Sequence, residues 1–344
     1  MATPRVVVIG GGLVGLTLAR LLDRRGISPV VLERMAPGEY VRRGFMLGHQ
    51  GYPALQELGL LDGIQARGRT IAPQPDGSSA AVAVEVGRLL NALADGLTVL
   101  HGRTVDCLLH GTDGRVTGVV AHGPDVPEVV KADLVVACDG MRSRIRDMAG
   151  LTAEFAPMAE GKIEWMSPVP CARPFAMSYL SNGGHVGMLS WPEGSFGWRT
   201  VDRVGREAVI APGLEAFIES WSRLLPESAA GVRALTSVDE LLYTEPELLS
   251  CPRWWAPGVV VIGDAAHFFG PETGASAGIG LADAHALAQA VAMHPSDPDA
   301  ACRVYTAWRE PVVRPYEAMD PGRQRLRGVP VPPPSEAERW PPSR

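Results

Sequence analysis

The chain opens on Arg5-Val-Val-Val-Ile-Gly-Gly-Gly-Leu-Val-Gly15-Leu-Thr-Leu-Ala-Arg-Leu-Leu22, and this stretch decides the fold. Val6 to Ile9 is an unbroken β-branched run, the pattern of a parallel strand buried on both faces. Gly10, Gly12 and Gly15 follow in G-x-G-x-x-G spacing, and Leu13, Leu16, Ala19 and Leu22 then keep a helical period. In such a turn the first glycine permits the sharp bend, the second lets backbone approach a pyrophosphate, and the third lets helix and strand touch. Gly26 stops the helix, and Pro29-Val-Val-Leu-Glu33 reads as a second strand ending in an acid. Glu33 stands 18 residues beyond Gly15, close to the ~20-residue interval of a carboxylate that binds ribose hydroxyls. Together these features predict a dinucleotide site; the alternative is glycines that only shape a strand–helix turn.

Two later strands repeat the theme. Leu134-Val-Val-Ala-Cys138 runs into Asp139-Gly140-Met-Arg-Ser143-Arg-Ile-Arg146, and Val259 to Ile262 runs into Gly263 and Asp264. Each leaves a carboxylate at the carboxyl end of an apolar strand. After Asp264 a loop of glycines and small residues from Phe268 to Gly278 feeds a helix marked by Leu281, Ala284, Leu287, Ala288 and Val291. A helix N-terminus there offers free N–H groups and a positive dipole end to an anionic ligand.

Between these landmarks the pattern is mixed. A short amphipathic helix is predicted from Pro53, a strand over Val82 to Val86 and a helix from Arg88. Val105–Leu109 and Val116–Ala121, around Thr112-Asp-Gly114, form a predicted hairpin. Residues 151 to 250 change character: strand-like pieces Ala176–Leu180, His185–Leu189 and Gly197–Val201 carry Tyr179 and Trp198, with Trp165, Trp191 and Phe196 close by. An amphipathic helix, Leu214–Leu225, follows, so an antiparallel sheet with helical cover is expected. The Pro-rich stretch from Pro330 to Pro342 reads as extended or disordered.

Composition bounds the partners. The chain has 344 residues, 46% hydrophobic and 20% charged, as in an ordinary globular protein. A net charge of −6 argues against a nucleic-acid partner, which wants a basic footprint. The five cysteines are scattered without Cys-x-x-Cys spacing, which favours reduced thiols over disulfides or a metal site. The N-terminal apolar run is too short for a signal peptide, and no stretch nears the ~20 apolar residues that span a bilayer. A cytoplasmic monomer or homodimer without stable membrane association is expected.

The glycine fingerprint with Glu33, the Asp139-Gly140 turn and the Gly263-Asp264 turn, in this order, resemble the flavoprotein monooxygenases of the p-hydroxybenzoate hydroxylase type. The likeness runs from Val6 to about Arg309. It implies an α/β fold: a discontinuous Rossmann-like FAD-binding domain (1–65, 82–150 and 251–294) and an inserted antiparallel β-sheet substrate domain (66–81 and 151–250). A C-terminal helical segment (295–328) and a Pro-rich tail (329–344) would complete it. The cofactor implied is FAD, with NADPH or NADH as co-substrate and O2 as oxidant. NAD(P)H would reduce the flavin, dioxygen would add at C4a, and the resulting hydroperoxide would transfer one oxygen atom to an aromatic or polycyclic small molecule.

By the same resemblance Gly10, Gly12 and Gly15 would hold the pyrophosphate and Glu33, followed by Arg34, the adenosine ribose. Arg43 and Arg88 match arginines near FAD, though Arg42 and Arg43 also read as solvated loop cations. Asp133, Asp139, Gly140, Ser143 and Arg146 match the family's D-x5-DG-x2-S-x2-R motif. Gly263 and Asp264 would meet the ribityl chain, and Pro271, Gly274, Ala275 and Ser276 the ring system. The sequence departs from the usual Gly-x-Gly-x-Asn loop at Ser276 and Gly278. No universal catalytic side chain is expected, and the candidates for substrate contact or proton transfer each have an alternative: His49 faces the cofactor cleft or is an exposed loop histidine, His185 lines the pocket or faces solvent, and Arg199 pairs with an acidic substrate or, as the plainer reading, is solvated. His267 is expected to anchor its loop. A flavin oxidase or reductase of the same fold, or a non-catalytic flavin-binding protein, are the alternatives. A halogenase is disfavoured because Lys131 and Lys162 are the only lysines and no Trp-x-Trp-x-Ile-Pro motif occurs.

Overall fold

A computed structural model describes residues 3–39, 44–71, 81–123, 126–158, 160–181, 184–201, 205–270 and 274–317. Arg42, Arg43, Pro271 and the Pro-rich tail lie outside the described residues. The organising element is a six-stranded sheet in the order Trp255–Ala256, Val259–Val261, Leu134–Ala137, Val6–Ile9, Val30–Glu33, Val99–His101. All its pairings are parallel except that of the short edge strand Trp255–Ala256. The three apolar runs singled out in the sequence occupy its centre and are buried on both faces, as continuous β-branched runs must be.

Register does the positioning. Leu32, Ile9, Ala137 and Val261 are Cα partners in one row across four strands. One residue further on, Glu33, Gly10, Cys138 and Ile262 therefore share an edge, with Asp139 and Gly263 next. The helix Leu13–Asp23 leaves this edge and packs on the long helix Ser276–Met293, which is buried almost all round. The last helix, Pro298–Glu317, lies against the latter.

A second sheet has five antiparallel strands, in the order Phe175–Tyr179, His185–Trp191, Gly194–Val201, Gly161–Ser167, Leu242–Thr244. The helix Leu214–Leu224 covers one face, where Trp165 meets Trp221 edge-on at 5.6 Å. The other face meets a three-stranded sheet of Gly44–Gly48, Ala81–Glu85 and Arg69–Ile71. The expected segment boundary between residues 81 and 82 thus falls inside a strand.

Two elements differ from the expectation. Gly161–Ser167, not among the strand-like pieces named from the sequence, is the fourth strand of the five. Its Lys162 and Glu164 are buried on one face, while Ile163 and Trp165 fill the other. Ser276 and Gly278, expected in a loop, form the first helical turn after Ala275. The hairpin is present as Thr104–His110 and Val116–His122, extended by a third strand, Pro127–Lys131.

Candidate active site

Three sequence motifs converge at the carboxyl edge of the parallel sheet, and glycines make the convergence possible. Gly10 has φ +105°, and a Cβ there would strike the Cys138 carbonyl; a Cβ on Gly15 would strike the carbonyl of Gly10. These contacts weld the first motif to the second. Gly263, at φ +59°, lies against Val14 in the first turn of the opening helix, and Gly280 touches the same valine. That contact joins the first motif to the third. Arg146, only 1% exposed, closes the ring: its guanidinium donates to Met141 O at 3.0 Å and to Ala265 O at 3.1 Å.

The polar groups at this edge are arranged for an anionic ligand that carries hydroxyls. Gly12 caps the opening helix with no side-chain bond and no acid in the first turn, and nothing lies within 4 Å of its Cβ position. The dipole end is thus left to an outside group. Glu33 accepts from Gly11 N at 2.6 Å and from Met35 N at 2.7 Å, which holds its half-buried carboxylate at the strand end. Exposed Arg34 follows it. Gly140 has φ +83°, and Ser143 caps the short helix behind it by accepting from Arg146 N. Asp139 keeps one buried oxygen, Oδ1, without a protein partner, and burial pushes its carboxyl up from the ordinary range. Asp264 is half-buried in the turn Gly263–Ala265.

The helix Ser276–Met293 begins beside this edge, again with no side-chain cap on Ala275 and no acid in its first turn. Ser276 Oγ is buried without a partner. Gly274, at φ +59°, has its Cβ position 2.6 Å from Met46 Cε. The departure at Gly278 also has a physical reason: its Cβ position lies 3.1 Å from Gln50 Oε1 and 3.4 Å from Gly51 N, so a long side chain would collide with the His49–Gly51 turn. These orphaned polar atoms and uncapped helix ends, spread along one edge, fit a dinucleotide with a polar ring system.

The candidates for substrate chemistry separate. His49 sits in the turn beside Gln50, half-buried, with Nε2 unpartnered, and burial pushes its imidazole down. His185 is buried, its backbone N–H donating to Thr200 Oγ1 at 2.7 Å. It shares the inner face of the five-stranded sheet with Thr200, so the solvent-facing alternative is excluded. Arg199 needs correction as a substrate contact. It pairs in register with Ile163 and Val186, so its side chain leaves on the helix-covered face, opposite Trp198 and Thr200. Arg88 is exposed and paired with Glu193 at 2.8 Å and Glu85 at 3.7 Å, which ties it to a turn of the five-stranded sheet.

Sequence reading missed two features. The inner face carries an aromatic wall in which Trp198 stacks on Phe196 at 5.9 Å and leans on Phe175 at 6.4 Å. Met46 and Met166 pack on the same cluster. The second is Asp283, fully buried beneath the Gly263 turn. It accepts from Gly263 N at 3.2 Å, His267 Nε2 at 2.7 Å and Arg309 Nε at 2.8 Å. His267, expected to anchor its loop, is held by that carboxylate and stacks on Phe269 at 5.1 Å.

A parallel sheet edge built for a dinucleotide, faced by an antiparallel sheet with an aromatic inner surface, defines a cofactor-dependent enzyme acting on a small molecule. Comparison with known proteins makes the class specific. The family described as "FAD binding domain" matches residues 3–318. A 6-methylpretetramide 4-monooxygenase of Streptomyces rimosus is 30% identical over 84% of this chain and 74% of its own length. A 2-heptyl-3-hydroxy-4(1H)-quinolone synthase of Mycobacteroides abscessus is 28% identical over 91% of this chain and 88% of its own. Among solved structures, Pseudomonas aeruginosa PqsL in complex with 2-aminobenzoylacetate superposes with a TM-score of 0.79 at 22% identity, covering 95% of this chain and 99% of that one. The chain belongs to the FAD-dependent monooxygenases of the p-hydroxybenzoate hydroxylase type. Its cofactor is FAD.

Proposed function

We propose that the chain uses NAD(P)H and O2 to place one oxygen atom on a planar aromatic molecule of more than one ring. The observation that carries this reading is the wall of Trp198, Phe196 and Phe175 with Met46 and Met166, continuous through Met46 with Gly274. Stacked rings favour a flat apolar partner, and methionine adapts to a range of shapes. By their names, one relative acts on 6-methylpretetramide and the other makes a 4(1H)-quinolone, which agrees in kind.

FAD supplies the redox and oxygen chemistry when bound; this chain's residues bind, orient and shield. Gly10, Gly12 and Gly15 would receive the pyrophosphate, Glu33 the ribose, and Asp139 and Asp264 the polar chain between the rings. The amides at Ala275 and Ser276 would face charge that develops on the ring system. His49, kept neutral by its surroundings, would take a proton from a phenolic or enolic substrate. The five-stranded sheet would exclude water from the reacting face. All five cysteines are free thiols, which suits a cytoplasmic enzyme.

Purified protein should be yellow and should oxidise NAD(P)H faster when a multi-ring phenol or enol is added. Under 18O2, one labelled atom should enter the product. Stimulated NAD(P)H oxidation with no label in any product across such a panel would overturn the monooxygenase assignment for those substrates. Preference for single-ring phenols would overturn the multi-ring reading alone.

A further inference from the structure

The Gly263–Ala265 turn is gripped from two sides by buried charges that bond its backbone. Asp283, 0% exposed on the helix Ser276–Met293, accepts the N–H of Gly263. Arg146, 1% exposed, donates to the carbonyl of Ala265. Asp264 lies between these two fixed residues. Its backbone has little freedom, which fixes where its Cα–Cβ bond points. Asp283 is itself held: Arg309 Nε donates to one oxygen at 2.8 Å, while His267 Nε2 at 2.7 Å shares the other with Gly263. Arg309 is 2% exposed and comes from the final helix, so the C-terminal segment reaches the cofactor turn through one carboxylate.

Burial alone would favour a neutral Asp283, but His267 and Arg309 outweigh it and keep the carboxyl below its ordinary range. A charge placed here is costly unless fully bonded. Plain packing between two helices would be served as well by an apolar residue. Spending a carboxylate, an arginine and a histidine on one backbone N–H points to precise placement of that turn.

We propose that Asp283 is a positioning residue for FAD: by holding Gly263, it aims the Asp264 carboxylate at the cofactor, and Arg309 and His267 hold Asp283 for that task. This rests on the reading of Asp264 as an FAD ligand, so the test is a double-mutant cycle on FAD affinity in the full-length protein. Asp264→Ala should weaken FAD binding about 10- to 100-fold, the loss of a charged hydrogen-bond acceptor. Asp283→Asn should weaken it about 10-fold or more in the native background. In the Asp264→Ala background the same change should alter affinity by less than about 2-fold, because the path to FAD is already cut. At saturating FAD, the visible circular dichroism of the bound flavin should shift in the same sense in both single variants.

Equal losses from Asp283→Asn in both backgrounds would mark Asp283 as a general fold support and overturn the proposal. So would native affinity in Asp283→Asn while Asp264→Ala binds weakly, a result that leaves the Asp264 reading intact. Undiminished affinity in Asp264→Ala would overturn both. Where Asp283→Asn does not accumulate, D283L/R309M removes the pair without stranding a charge. Its apo form should fold, judged by a cooperative thermal transition, and should show the same background-dependent loss.

Discussion

The cofactor edge and the substrate sheet are built from different material. At the edge, backbone meets backbone: Gly15 on the Gly10 carbonyl and Gly10 on the Cys138 carbonyl. Main-chain atoms cannot step aside, so this geometry is specified by the absence of side chains. On the inner face of the five-stranded sheet the surface is made of side-chain ends, with Trp198 lying over Gly187 and Met46 bridging to Gly274. Such a surface can be reshaped without disturbing the strands beneath it. The contrast explains how one cofactor scaffold can serve unlike substrates: its two halves tolerate change to different degrees.

Substitutions can break or sharpen that contrast. The largest effect is expected from Gly15→Ala, whose new methyl falls on a backbone oxygen; at least about 3 kcal/mol of overpacking should leave little soluble, flavin-loaded protein. Recovery of a yellow protein in native yield would remove the distinction. Trp198→Ala should do the reverse, leaving FAD content at the native level while kcat/KM for a multi-ring substrate falls about 10- to 100-fold. Gly278→Ala tests the edge at its softest point. There the tightest neighbour is the far end of Gln50, which can move, while Gly51 N at 3.4 Å is at the edge of ordinary contact, so FAD affinity measured by fluorescence titration should stay within about 3-fold.

The smallest effect concerns pH. Burial pushes the imidazoles of His49 and His285 down, in His285 against the pull of Glu57. The unfolded chain therefore binds more protons than the folded one just below the ordinary histidine value, and stability must fall as pH drops through that window. The apo protein should melt about 2 °C lower at pH 5.5 than at pH 7.5, and H49N/H285N should flatten that slope. A slope unchanged in the double variant would place its origin elsewhere.

Much of the edge was legible in the sequence because each part is a local run: an apolar strand, a glycine, then an acid. Gly10, Glu33, Asp139 and Asp264 could be placed at strand ends from their neighbours alone. Trp165 and Trp198 could not be told apart in this way. Both are aromatic residues on strands, yet register sends one into the core against Trp221 and the other to the inner face. Arg199 could be read as a solvated cation or as the partner of an acidic substrate; its pairing with Ile163 and Val186 turns it to the helix-covered face instead. Lys162-Ile-Glu-Trp165 does alternate as a strand should, but only the sheet's other layer buries the charged face as well.

By itself, the sequence determined that this protein has a parallel sheet with three glycine-and-acid strand ends, since strand burial and tight turns act on adjacent residues. Tertiary structure alone decided that the three ends meet, which faces the aromatic rings take, and that Asp283 and Arg309 stand beneath Gly263. Those outcomes depend on register and helix packing between segments as far apart as Val14 and Gly280. No local pattern encodes contacts of that kind; they arise from the side-chain volumes and backbone bonds of the whole chain satisfied at once.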